Sequence, residues 1–143
     1  MGQRVYNIDI ELLLADGAAA VTADGVTQVA SANASKQLGP GRFEGVLVVD
    51  VSAIKTSVGD ELYHLVLQGG TDNTFATKEI VAQLSLGAGA ARPGGAITST
   101  TGRYEIPFVT EQDDVSYPWE RLYVDVAGTA PSITLKAFIA ERY

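Results

Sequence analysis

The stretch "RFEGVLVVDVSA", residues 42–53, decides the fold. Read two residues at a time, it places Phe43, Leu47, Val49 and Val51 on one face and Glu44, Val46, Val48 and Asp50 on the other. That is the period of a β-strand, whose successive side chains point to opposite faces. The same period recurs on either side. "ELYHLVLQ" (61–68) sets Tyr63, Leu65 and Leu67 against Leu62, His64, Val66 and Gln68, and "RYEIPFV" (103–109) aligns Tyr104, Ile106 and Phe108. Pro107 has no amide to donate, so this last strand is expected at an edge or a bulge. "VYNIDIELLL", "RLYVDVAG" and "SITLKAFIA" repeat the alternation near the two ends, and "EIVAQLSLG" (79–87) reads as a strand rather than a short helix.

Turn signals separate these runs: Asp16-Gly17, Asp24-Gly25, Gly39-Pro40-Gly41, Gly59-Asp60, Gly69-Gly70, Pro93-Gly94-Gly95 and Gly128. Seven to nine strands with almost no helical period predict an all-β, single-domain antiparallel β-sandwich of jelly-roll type spanning 1–143. The pairing of a long first strand with late returning ones suits that topology. "GAGAARPGGAITSTTG" (87–102) is low in complexity and is expected to be a long mobile loop that orders against a partner.

Composition narrows the function. The 143 residues are 46% hydrophobic and 19% charged, enough for a globular core. Seventeen acids against ten bases give a formal charge of −7, and no two bases are adjacent. Nucleic acid is therefore not an expected partner, because phosphate binding needs clustered positive charge. Cysteine is absent, which removes thiol catalysis, disulfides and thiolate metal ligation. In "MGQRVYNIDIELLLADG" the acids Asp9 and Glu11 interrupt any signal-peptide core, and residue six is Tyr where a myristoylation signal needs Ser or Thr. No apolar run reaches membrane-spanning length. The expectation is a protein made in the cytoplasm, with no membrane partner.

The residues that carry chemistry point to structure. His64 is the only histidine and lies on a strand, with no G-x-S-x-G elbow for a triad; it reads as a hydrogen-bonded sheet residue. Asp113-Asp114, Asp60-Glu61 and Asp72-Asn73 read as carboxylates that solvate turns, since no D-x-D-x-D-G ladder supplies the ligands calcium requires. No cofactor, metal or catalytic residue is expected. The Gly-rich 87–102 stretch lacks G-K-[ST] and a following helix, so Arg92 reads as a contact for an acidic protein partner. Trp119, in "YPWE" just ahead of a strand, is the only tryptophan and suits an anchor for a loop in the core or in a protein interface. Together with the aromatic and Arg residues near the termini, this gives a candidate protein interface of Arg4, Tyr6, Arg92, Trp119, Arg142 and Tyr143.

"ELLLADGAAAVTADG", "LGPGRFEGVLVVDVSAI", "DELYHLVLQGGTDNTF", "RYEIPFV" and "ERLYVDVAGTAPSITLKAFIA", in that order, resemble the jelly-roll capsid cement (decoration) proteins of tailed bacteriophages. The similarity runs from about Glu11 to Ala140 and departs at the 87–102 loop. The resemblance implies a non-enzymatic virion protein on the outer capsid surface. It would bind the major capsid protein, bridge its subunits, and act as a homodimer or homotrimer. A ligand-binding β-sandwich, carbohydrate-binding or tail-associated, is the alternative expectation, and a small β-fold hydrolase the third.

Overall fold

The computed structural model describes residues 12–95 and 97–141. In chain order the strands are β1 (Leu13–Asp16), β2 (Gly25–Val26), β3 (Gln28–Val29), β4 (Ala32–Asn33), β5 (Lys36–Gln37), β6 (Glu44–Ile54), β7 (Leu62–Gly70), β8 (Lys78–Gly87), β9 (Gly102–Val109), β10 (Glu111–Gln112), β11 (Val115–Ser116), β12 (Trp119–Ala127) and β13 (Ile133–Glu141). One sheet has the order β1-β13-β6-β9; the other runs β2-β12-β7-β8, with β5 also paired to β12. The antiparallel pairings are nested: β7 with β8, β6 with β9, β2 and β5 with β12, β1 with β13. Nested pairs of this kind describe one long hairpin rolled over on itself, with the β13–β6 and β12–β7 ladders closing the two sheets. This is the jelly-roll sandwich expected from the alternation.

Parity explains the core. Leu47, Val49 and Val51 of β6 face Tyr63, Leu65 and Leu67 of β7 and Leu122 and Val124 of β12, joined by Leu135, Ala137 and Ile139 of β13. Thr27 ties the two sheets together, its hydroxyl donating to the Leu14 carbonyl (2.7 Å) and reaching that of Leu122 (3.3 Å). The buried Tyr63 hydroxyl donates toward the carbonyls of Lys55 (2.7 Å) and Ser132 (3.0 Å) and accepts from the Ser132 amide (2.9 Å), fixing two loops at one end. Pro107 lies opposite Val46 on the edge strand β9, where its missing amide costs the ladder least.

Two expectations require correction, and two short ribbons go unseen by the alternation. Gly69-Gly70 is not a turn: both residues sit in β7, paired across to Glu120 and Trp119 and to Glu79 and Lys78. They are glycines because their neighbours fill the space, a Cβ on Gly69 falling 2.8 Å from Tyr117 Cβ and one on Gly70 falling 2.6 Å from the Phe75 ring. The short ribbons β3–β4 and β10–β11 have too few residues to display a period, and alternation does not reveal them. Trp119 opens β12 and is not ahead of it. The expected early alternation of Tyr6, Ile8 and Ile10 lies outside the described residues.

Candidate protein interface

Of the six candidate contacts, Arg4, Tyr6, Arg142 and Tyr143 lie outside the described residues; Arg92 and Trp119 are described. The structure does not bring these two together. Arg92 bonds to the Ser85 carbonyl, and Ser85 pairs with His64. Trp119 pairs with Gly70 at the other end of β7. At about 3.3 Å per residue, the six steps from His64 to Gly70 separate them by roughly 20 Å.

The stretch expected as a loop is one, between Gly87, which ends β8, and Gly102, which begins β9. Its base is fastened. The Ser99 amide donates to the Gly87 carbonyl (2.9 Å), the Gly87 amide to the Ser99 hydroxyl (3.0 Å), and the Gly89 amide to the Thr98 hydroxyl (3.0 Å). The Arg92 guanidinium then bridges two carbonyls, Ile97 at 2.8 Å and Ser85 at 3.3 Å. Arg92 is thus a clamp inside the loop as well as a surface cation. What it holds out is Ile97, 76% exposed and the most exposed large apolar side chain among the described residues. An isoleucine in a small-residue stretch carries no period, so sequence reading does not single it out.

Trp119, Arg121, Tyr123 and Asp125 share the outer face of β12, since the inner set is Leu122 and Val124. The Arg121 guanidinium lies 4.3 Å from the centre of the Phe75 ring, and its Nε donates to Gln68 Oε1 (2.7 Å). Phe75 reaches that position through a left-handed backbone (φ 55), in a turn held by Asp72, whose Oδ1 accepts from the Thr74 amide (2.9 Å) and hydroxyl (2.5 Å). Further along the same face, His64 has both ring nitrogens engaged, Nδ1 with Ser85 Oγ (2.7 Å) and Nε2 with Gln83 Oε1 (3.1 Å). His64 is a half-buried rung of the sheet.

The acids differ more than the sequence suggested. Asp60 does serve a turn: the Thr129 hydroxyl (2.6 Å) and amide (3.0 Å) bond to it and hold its carboxyl below the usual range. Glu61, expected to be solvated, is fully buried. Burial pushes its acidity one way, but the amides of Val58 (2.9 Å) and Gly59 (3.0 Å) outweigh it and the pKa falls. Glu120 is also fully buried, and neither carboxyl oxygen has a hydrogen-bond partner. Burial alone pushes its pKa up to about 9. The signal for Glu120 was present: in "WERLYVDV" the apolar parity of Leu122 and Val124 carries it inward. No group of three or more potential metal ligands occurs among the described residues.

The chain matches no family model, and no curated protein matches it.

Proposed function

We propose that this protein is a structural decoration protein: it binds the outer surface of a tailed-bacteriophage head as a homo-oligomer and bridges major capsid protein subunits. The observation that carries this reading is Ile97, 76% exposed on a loop whose base is closed by three hydrogen bonds and braced by the two that Arg92 donates. A single exposed apolar residue is ordinary on a protein surface. One displayed on a fastened loop is suited to enter a partner's pocket, since little ordering cost remains at binding. The ordered resemblance of five segments to the cement family supports the same reading, as does the jelly-roll topology. The test is decoration of undecorated heads by purified protein, followed by imaging and occupancy. Wild type is expected to bind and Ile97→Ser to bind at least tenfold more weakly with an unchanged β spectrum. Failure of the wild type to bind heads would end this reading.

A second reading rests on the outer face of β12 and β7, where Trp119, Tyr123 and the Arg121–Phe75 stack lie beside Gln68 and His64. Planar and amide side chains on one sheet face suit a glycan. A glycan array separates the two readings, because a decoration protein gives no saturable sugar binding.

A further inference from the structure

Glu120 has no structural use for its charge, and the wall that separates it from water is thin on one side. In the register of its sheet it lies in the row Lys36–Glu120–Gly69–Glu79, across β5, β12, β7 and β8. On the β7 side the wall is a ladder of nine residue pairs, from Trp119–Gly70 to Ala127–Leu62. Oε1 sits 3.4 Å from where a Gly69 Cβ would stand, a space it shares with Tyr117 and Val81. On the other side the wall is β5, two residues long and joined to β12 only through Trp119–Gln37 and Glu120–Lys36, with one further bond from the Leu38 amide to the Pro118 carbonyl (2.7 Å).

We propose that Glu120 and β5 form a proton-operated latch: β5 stays closed on β12 while Glu120 is neutral, and swings away when the carboxyl gives up its proton. An ionised carboxylate without partners is not tolerated in an apolar interior, so either the proton stays or water comes in. Water enters where the fewest bonds must break, which is the β5 edge. Among the neighbours, Lys36 is the one cation that the register places on this row, and it belongs to β5, so opening carries it away with the strand. Glu79 is turned to water with its own carboxyl on the Ile80 amide (2.8 Å), Tyr117 brings a phenol, and Gly69 and Val81 bring no charge. No charged group contributes to the raised pKa of Glu120, so closure leaves the acid without electrostatic help. The latch rests on the fold and not on the decoration reading.

Trp119 pairs with β5 and is the only tryptophan, so its fluorescence reports the opening directly. The experiment is hydrogen exchange at the Leu38 amide from pH 5 to 8, corrected for intrinsic rate, with Trp119 emission and the far-ultraviolet spectrum followed in parallel. Because opening releases one proton, the protection of Leu38 should fall about tenfold per pH unit. It should do so independently of low urea, as local openings do, with a shift in Trp119 emission and an unchanged β spectrum. In Glu120→Gln and, separately, Glu120→Leu the pH slope should vanish. The latch is overturned by a flat profile in the wild type, by a slope that survives in either variant, or by Leu38 exchange with the full urea dependence of the Leu67 amide in the core.

Discussion

Arg103 grips Asp50 across the β9–β6 ladder with two parallel bonds, Nε to Oδ1 at 2.7 Å and Nη2 to Oδ2 at 2.9 Å. The pair ends a row of alternating charge, Asp16–Lys136–Asp50–Arg103, that crosses all four strands of the first sheet in register. Next to this row on the same outer face lie Leu13, Phe138 and Val48, and the guanidinium stands 5.7 Å from the Phe138 ring centre. The pair is about one-third exposed, so its coupling should be modest, about 0.5–1 kcal/mol. A double-mutant cycle with Asp50→Asn and Arg103→Gln is expected to give that value and to lose much of it in 0.5 M salt. Arg103→Ala should cost more than Asp50→Ala, because it also strips the cover from Phe138. Equal losses would place the whole effect in the ion pair.

Gly128 has φ +104, and a Cβ there would fall 2.5 Å from the Asp60 carbonyl oxygen and 2.8 Å from Glu61 Cα. Both obstacles are backbone, and they belong to the turn whose carboxylates hold Thr129, Val58 and Gly59. Gly128→Ala is expected to cost about 2 kcal/mol or more. Gly25→Ala should be close to neutral, since a Cβ at Gly25 meets nothing within 4 Å and its backbone is not left-handed. Urea midpoints of the two variants check this, and similar losses at both positions would count against a steric origin for the Gly128 effect.

Stability against pH should have two limbs. Asp60 and Asp72 are held low first by threonine hydroxyls and then by amides, Asp16 by the Ala18 and Ala30 amides, and Glu61 by amides that overcome its burial. Their folded values lie below the ordinary 3.8 and 4.5, so their contribution is present above those values and is lost as pH falls through the folded ones. Glu120 works in the opposite sense. The fold keeps its proton up to about 9 while the unfolded chain releases it near 4.5, so stability falls steadily between those two values. At about 1.4 kcal/mol per pH unit, Glu120 should make the protein about 3 kcal/mol less stable at pH 7 than at pH 4.5. Urea midpoints at pH 3, 5, 7 and 9 should peak near pH 5 in the wild type. In Glu120→Leu they should stay nearly level from pH 5 to 9 and exceed the wild type at neutral pH.

The alternation of apolar residues carried most of this fold, because strands buried on one side impose period two on every residue they contain. It placed Leu47, Tyr63, Leu65, Leu67 and Phe108 on the inner faces and Pro107 at an edge. Two-residue ribbons such as β10–β11 have no room for a period, so they follow from tertiary contacts alone. Gly69-Gly70 misled because glycine marks both turns and close approach, and only the packing of Tyr117 and Phe75 distinguishes them. Within the site, Arg92 and Trp119 were visible as residue types. Their separation was not, because it depends on which strands pair. Glu120 stood in plain register with Leu122 and Val124, yet charge conventionally argues for the surface.

Arg92 allows the loop and its displayed isoleucine to be tested separately. Its two carbonyl partners, Ile97 and Ser85, need a forked donor; a lysine in its place reaches one of them at a time. On the decoration reading, Arg92→Ala leaves Ile97 chemically intact but loosens the loop that presents it, so binding now includes the cost of ordering the loop. Occupancy on heads is expected to fall several-fold in Arg92→Ala and less in Arg92→Lys, with the thermal midpoint nearly unchanged in both. His64→Gln serves as the control: its ring bonds are half-exposed, so it should cost at most about 1 kcal/mol and leave occupancy at the wild-type level. An oligomer that touches several lattice subunits also gains by avidity, so the wild type should bind assembled heads far more tightly than free major capsid protein. Equal affinity for the two would indicate a one-to-one binder. Wild-type occupancy in both Arg92→Ala and Ile97→Ser would move the contact surface away from this loop and onto a sheet face.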